Sequence, residues 1–151
     1  MTFNITSINR FLLFQLPAAF FTGIRLTELT EQKSVFTVKH RWINQNPFRS
    51  MYFAVQAMAA EISTGVLVMR SIQNSAQKIS MLVTHQKADF TKKATGKIKF
   101  ICEDGATIDQ VIHKAIQTGE GQELVLRSVG YDEQNVVVSK FEFHWSIKAK
   151  S

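Results

Sequence analysis

From Ser50 to Met69 the chain reads SMYFAVQAMAAEISTGVLVM, and Glu61 is the one charge in that run, which Arg49 and Arg70 bracket. A carboxylate among apolar neighbours is desolvated unless it is paired. Desolvation disfavours the charged form and raises the pKa toward the range in which a carboxylate works as a base or nucleophile. The plainer alternative is an acid on the one wet face of a buried helix. Ala54, Ala57, Ala59, Ala60 and Gly65 alternate with bulky residues, a pattern that suits a helix packed closely on most sides.

Other chemistry-bearing residues are dispersed. His40, His85, His113 and His144 have no helical or strand spacing typical of zinc, so no metal is expected. Cys102 is the single cysteine, which excludes a disulfide framework and fits a reducing, cytoplasmic setting and a core role. No nucleophile elbow, phosphate-binding glycine loop or paired-cysteine motif occurs. No cofactor is expected.

The formal charge of +6 raises the prospect of an anionic partner. Its densest stretch is Lys87 to Lys99, with neither a basic helical stripe nor interleaved aromatics, so a phosphate-bearing small molecule ranks above nucleic acid. The Ser50–Met69 run is near the length of a membrane span, but Gln56, Glu61 and Ser63 interrupt it and no span is expected. Phe11 to Phe21 is short, broken by Pro17, and a poor signal peptide.

These residues need elements to position them. Residues 7–22 read as a short amphipathic helix with Ser7 as a cap and Pro17 kinking or ending it. Gly23 to Thr30 and Ser34 to Arg41 read as a hairpin, and Trp42 to Arg49 as a loop with turn chemistry at Asn44, Asn46 and Pro47. Met51 to Met69 is the long helix. Ile79 to Asp89 and Thr95 to Cys102 are strands. Thr107 to Thr118 has apolar residues at helical spacing, and Gly119 and Gly121 stop it. Glu123 to Tyr131 and Asn135 to Ile147 are the last strands. Phe141, Phe143, Trp145 and Ile147 share one face of the latter, with His144 on the other. Six strands joined mostly by hairpins and one dominant helix imply an α+β layout.

Three strings carry a family resemblance. Asn46-Pro47-Phe48-Arg49-Ser50-Met51-Tyr52-Phe53-Ala54 leads without a gap to Glu61, as an Asn, a loop, a His-Gly-Gly helix start and an acid do elsewhere. Ala88 to Ile98 is similar to a strand pair reading Phe-x-Arg-Pro-Ala-x-x-Gly-x-Leu, and Val129 to Val138 to a closing hairpin with Asp-x-x-Gly. Over roughly residues 23–147 the chain resembles the hotdog-fold acyl-CoA thioesterases of the phenylacetate-pathway type, nearest to a thioesterase-like branch of unknown function.

The resemblance implies a single hotdog domain over residues 1–151, an antiparallel six-stranded sheet wrapped around the long helix. Residues 1–22 form an N-terminal helix and 104–121 an inserted one. It implies acyl-CoA hydrolysis with Glu61 as base or nucleophile and the N–H groups of Phe53 or Ala54 holding the oxyanion. Asn46 holds the water or the thioester oxygen, or else is a turn residue before Pro47. Tyr52 takes the histidine place. Thr64 and Gly65 share the face of Glu61 and meet the site across a dimer interface, or else serve helix packing. Lys92 and Lys93 meet coenzyme A phosphates, or else lie in a solvated loop. The implied partners are an acyl-CoA-like small molecule and a second copy, as a homodimer or a dimer of dimers. Tyr52-Phe53-Ala54 stands where the family has His-Gly-Gly, and Lys92-Lys93 where it has Arg-Pro. A non-catalytic module binding acyl or CoA-type ligands therefore remains open, as does a basic binder of nucleic acid or membrane surfaces, which rests on charge alone.

Overall fold

A computed structural model of the protein describes residues 1–150. The chain begins with helix α1 (Ile5–Gln15), whose N-terminus is capped by Asn4; its side chain accepts the Ser7 N–H at 2.8 Å. Ser7 is thus inside the first turn rather than the cap. Leu16 leaves helical geometry and Pro17 restarts the chain as α2 (Pro17–Phe21), so the single helix expected over 7–22 is two. Proline sits well at a first helical position, where its missing N–H has no partner to lose.

Strands β1 (Arg25–Leu29) and β2 (Ser34–Lys39) form the first hairpin. The long helix α3 (Phe53–Ser75) follows, then β3 (Ile79–Phe90) and β4 (Lys97–Cys102). Helix α4 (Gly105–Thr118) precedes β5 (Gln122–Tyr131) and β6 (Val137–Ala149). All neighbouring strands pair antiparallel in the order β1-β2-β4-β5-β6-β3. This is the α+β hotdog arrangement expected from the sequence.

Alternation decides which face of the sheet meets α3. Ile98, Phe100 and Cys102 of β4, Leu124 and Leu126 of β5, and Phe141, Phe143, Trp145 and Ile147 of β6 are all buried. The helix answers with Val55, Ala59, Ile62, Val66 and Leu67. Small polar residues let helix and sheet approach closely. The Ser63 hydroxyl lies 2.7 Å from that of Ser128, and Ser34 donates to the Ser63 carbonyl at 2.5 Å. Helix α4 buries Ile108, Ile112 and Ala115, and its Asp109 accepts a hydrogen bond from Ser71 of α3 at 2.5 Å.

The two sheet edges differ. At β1 the Asn9 side chain accepts the Leu26 N–H at 2.8 Å and donates to the Leu26 carbonyl at 3.0 Å, so α1 covers that edge. Strand β3 pairs only with β6, and Thr84 to Lys87 are exposed.

Candidate active site

The loop leading into α3 is built by two amides. Asn44, buried, donates to the carbonyls of Thr22 and Lys39 at 2.9 Å each and accepts the Arg41 N–H at 2.8 Å. Asn46 accepts the N–H groups of Phe48 and Ser50 at 2.9 and 3.2 Å, and donates to the Ser50 hydroxyl at 3.0 Å and the Met51 carbonyl at 3.3 Å. Between them Arg49 takes a left-handed φ of 59°, uncommon for a residue with a side chain. The Asn46 side chain and its backbone carbonyl hold this turn closed.

Met51 is therefore not helical. It bridges Gln45 and donates its N–H to the Ala94 carbonyl at 2.8 Å. Tyr52 is the N-cap residue and α3 starts at Phe53. No side chain caps the helix, and the N–H groups of Phe53 and Ala54 have no partner among the described residues. A 23-residue helix with open first-turn donors carries partial positive charge at this end and favours an oxygen anion.

A cleft of about 520 Å³ opens at this end. Asn46, Tyr52, Phe53, Lys92 and Lys93, singled out from the sequence, all line it, together with Phe48, Gln56 and Phe90. Ala54 sits next to Phe53, half-buried. Phe53 meets Phe90 edge-on at 6.3 Å, and Phe90 meets Phe141 in the same way at 5.7 Å, so an aromatic series runs from the cleft into the core. The two lysines are engaged. Lys92 Nζ pairs with Asp132 at 2.5 Å, and Lys93 donates to the Phe48 carbonyl at 3.3 Å. The Lys92 ammonium and the N–H groups of Val136 and Gln134 hold the Asp132 carboxyl below its usual range.

Glu61 lies apart from this cleft. It is eight residues beyond Phe53, roughly 12 Å along the helix axis. Its carboxylate has no hydrogen-bond or ion-pair partner among the described residues, and burial alone pushes its pKa up. Thr64 and Gly65 share its face. Thr64 Oγ1 donates to the Glu61 carbonyl at 2.7 Å and accepts Trp145 Nε1–H at 3.0 Å. A β-carbon at Gly65 would lie 3.4 Å from the Trp145 ring and 3.8 Å from Glu61 Oε1, ordinary contact distances, so the indole and the carboxylate flank this position.

Sequence reasoning missed Gln56 and Trp145 as parts of these places. Gln56 was visible as the one amide in the first turns of an apolar helix. Trp145 was legible as core but not as the donor that ties Thr64 in place. Among the described residues no group of His, Cys, Asp or Glu is arranged to hold a metal, and no helix is long and apolar enough to cross a membrane.

Residues 7–147 match the DUF4442 family, a domain of unknown function. The chain belongs to that family. No curated protein matches the chain. Among solved structures, a Pseudomonas aeruginosa protein of unknown function described as a probable thioesterase superposes with a TM-score of 0.82 at 24% identity, covering 96% of both chains. A protein of unknown function from Chlorobaculum tepidum does so with 0.81 at 16% identity, over 96% of this chain and 94% of its own. A thioesterase from Haemophilus influenzae gives 0.72 at 14% identity, over 99% and 93%. At these identities the likeness establishes the hotdog fold for this DUF4442 chain, and function has to be argued from the site.

Proposed function

We propose that the protein hydrolyses an acyl-CoA or a similar thioester, with Glu61 as base or nucleophile. The observation that carries this is a partly buried carboxylate with no partner, its pKa raised by desolvation, on the same helix whose open N-terminus can receive an oxyanion. The fold's likeness to thioesterases supports the reading.

In the base route, water attacks the thioester carbon, its proton passes to Glu61, and the carbonyl oxygen gains charge against the N–H groups of Phe53 and Ala54. Collapse breaks the C–S bond, and the proton moves from Glu61 to the leaving sulfur. In the nucleophile route Glu61 attacks the carbon directly, the thiolate leaves, and water opens the mixed anhydride. Lys92 and Lys93, at the cleft rim, would face the coenzyme A phosphates, and Tyr52 and Phe53 the ligand's apolar parts.

Both routes need Glu61 and the α3 N-terminus within bonding distance of one carbonyl group, and the rigid helix separates them within one chain. A second copy supplies the match: Glu61 of one protomer beside Asn46 to Ala54 of its partner, while Thr64 and Gly65, both buried within their own chain, serve helix packing. The β3 edge favours such pairing because it is long and unpaired, whereas Asn9 closes the β1 edge. The assembly is a homodimer or a dimer of dimers. Solution mass by light scattering should be at least twice the 17.1 kDa of one chain, and a strict monomer would remove the composite site.

A panel of acyl-CoAs with a free-thiol readout tests the activity. Release of thiol from at least one acyl class is expected. Binding without release would instead establish a non-catalytic module, the reading favoured by the bulk of Tyr52-Phe53-Ala54. A salt-sensitive gel shift in place of both would point to nucleic acid.

A further inference from the structure

Outside the residues that line the cleft, the end of α2 adjoins the short turn Trp42–Asn44. The buried Asn44 amide ties the two together by donating to the Thr22 carbonyl at 2.9 Å. Three large apolar side chains stand in solvent on these segments: Phe21 is 61% exposed, Trp42 83% and Ile43 50%. Tryptophan is buried on average, as Trp145 is here, so a ring left this open beside two other apolar side chains marks a surface that meets a partner.

The same corner holds two arginines. The Arg25 guanidinium lies 3.5 Å over the Phe20 ring, which meets Phe21 edge-on at 5.6 Å. It donates to the Phe20 and Ile24 carbonyls at 2.6 and 2.8 Å, so its charge is fixed in place. Arg41 reaches the same point from the other segment, since a β-carbon on Gly23 would lie 2.6 Å from Arg41 Nη2. Neither guanidinium has an ion-pair partner among the described residues. Burial, and after it the Arg41 charge, lowers the Arg25 pKa from its ordinary value. Like charges held together without a counter-ion favour the arrival of an anion. The flanking sequence supplies none: residues 1–27 and 34–60 carry Arg10, Arg25, Lys39, Arg41 and Arg49 and no Asp or Glu.

A free phosphate would use the arginines and leave the apolar side chains in water. A nucleic acid would find a stacking face on Trp42 but none on Ile43. The boundary between lipid headgroups and acyl chains suits both sets, because indole and phenyl rings settle there and guanidinium groups pair with the phosphates. We propose that this corner docks the protein onto anionic lipid surfaces, with Phe21, Trp42 and Ile43 entering the headgroup region and Arg25 and Arg41 pairing with lipid phosphates. The corner lies outside the Asn46 to Ala54 segment that the composite site gives to the partner, and docking does not depend on thioester hydrolysis.

The test mixes the full-length protein with vesicles of phosphatidylcholine alone and of phosphatidylcholine and phosphatidylglycerol in equal parts. Trp145 is buried and bonded to Thr64, so Trp42 is the tryptophan that reports contact. On the mixed vesicles its emission should move to shorter wavelength and lose access to acrylamide, with little change on phosphatidylcholine alone and reversal by salt. In co-sedimentation, Arg41→Gln should weaken binding about fivefold, the worth of one basic residue near an anionic surface. Trp42→Ser should weaken it about tenfold or more. Both side chains are exposed, so each variant should melt as the parent does. No binding to the mixed vesicles, or binding indifferent to both substitutions, overturns the proposal. A shift of DNA without vesicle binding overturns it in favour of nucleic acid. Emission already at short wavelength in buffer, moving to longer wavelength on dilution, overturns it in favour of a second copy covering the corner.

Discussion

Replacing Glu61 by glutamine removes a charge and a basic oxygen while keeping the shape of the side chain. Loss of a general base costs about 10²–10⁴-fold in turnover, equivalent to about 2.7–5.5 kcal/mol of barrier. The effect on folding has the opposite sign. The carboxylate is partly buried, no hydrogen bond or ion pair among the described residues compensates it, and desolvation raises its pKa above the ordinary 4.5. A carboxyl whose folded pKa is raised holds its proton more tightly in the native state. Its contribution to stability is then fully present below the unfolded value and lost as pH rises through the folded one. Above its raised pKa the parent carries a partly buried charge with no partner, which Glu61→Gln removes. The variant should melt no lower than the parent at high pH and lose that advantage at low pH, below the raised pKa of the parent carboxyl. Initial rates on the best acyl-CoA, read by free thiol, and thermal melts at the two pH values measure both arms. A variant as active as the parent refutes the mechanism. A large drop in melting temperature at high pH refutes the assignment of Glu61 as unpaired.

Asn46→Ala should cost about 1–3 kcal/mol, since the N–H groups of Phe48 and Ser50 lose their acceptor beside the left-handed Arg49; chemical denaturation measures it, and an unchanged midpoint would show that the loop does not depend on the amide. Cys102, whose thiol is pushed up to about 12 mainly by burial, should resist alkylation in the native protein and react at the rate of a free thiol once the chain is unfolded. On the outer sheet face, His144 sits between Glu123 at 3.0 Å and Glu142 at 3.1 Å, which raise its pKa, while His144, Lys87 and Arg127 lower that of Glu142. The His144 contribution is present below its ordinary 6.5 and lost as pH rises through the raised value; the Glu142 contribution is present above 4.5 and lost as pH falls through the lowered value. His144→Gln should therefore lower the melting temperature most between those two pH values, and a uniform shift across pH would contradict the pairing.

Strand alternation made the sheet legible. Phe141, Phe143, Trp145 and Ile147 all face the core as their spacing demanded, and the lysines of β4 face away. Helix ends were harder, because tertiary hydrogen bonds outweigh composition there. Met51 looks helical in sequence, yet its N–H is taken by Ala94 across the fold. At the other end the apolar run stops at Met69 while the helix continues to Ser75, held by Ser71 on Asp109 and by the burial of Ile72 against the core.

For the site, sequence spacing brought Asn46, Tyr52, Phe53, Lys92 and Lys93 to one cleft, but could not show what each side chain is already bonded to. Asn46 spends its amide on the loop, Lys92 on Asp132 and Thr64 on Trp145. The groups left unspent are the Glu61 carboxylate, the Phe53 and Ala54 N–H groups, and Gln56 Oε1. An interval of eight residues is close in sequence and distant on a helix, which cannot fold back on itself. Chemistry that uses both the acid and the helix start consequently has to join two chains. Dilution below the dissociation constant of the proposed dimer should then abolish turnover, and turnover per chain that is unchanged on dilution to a monomer of 17.1 kDa would refute the composite site.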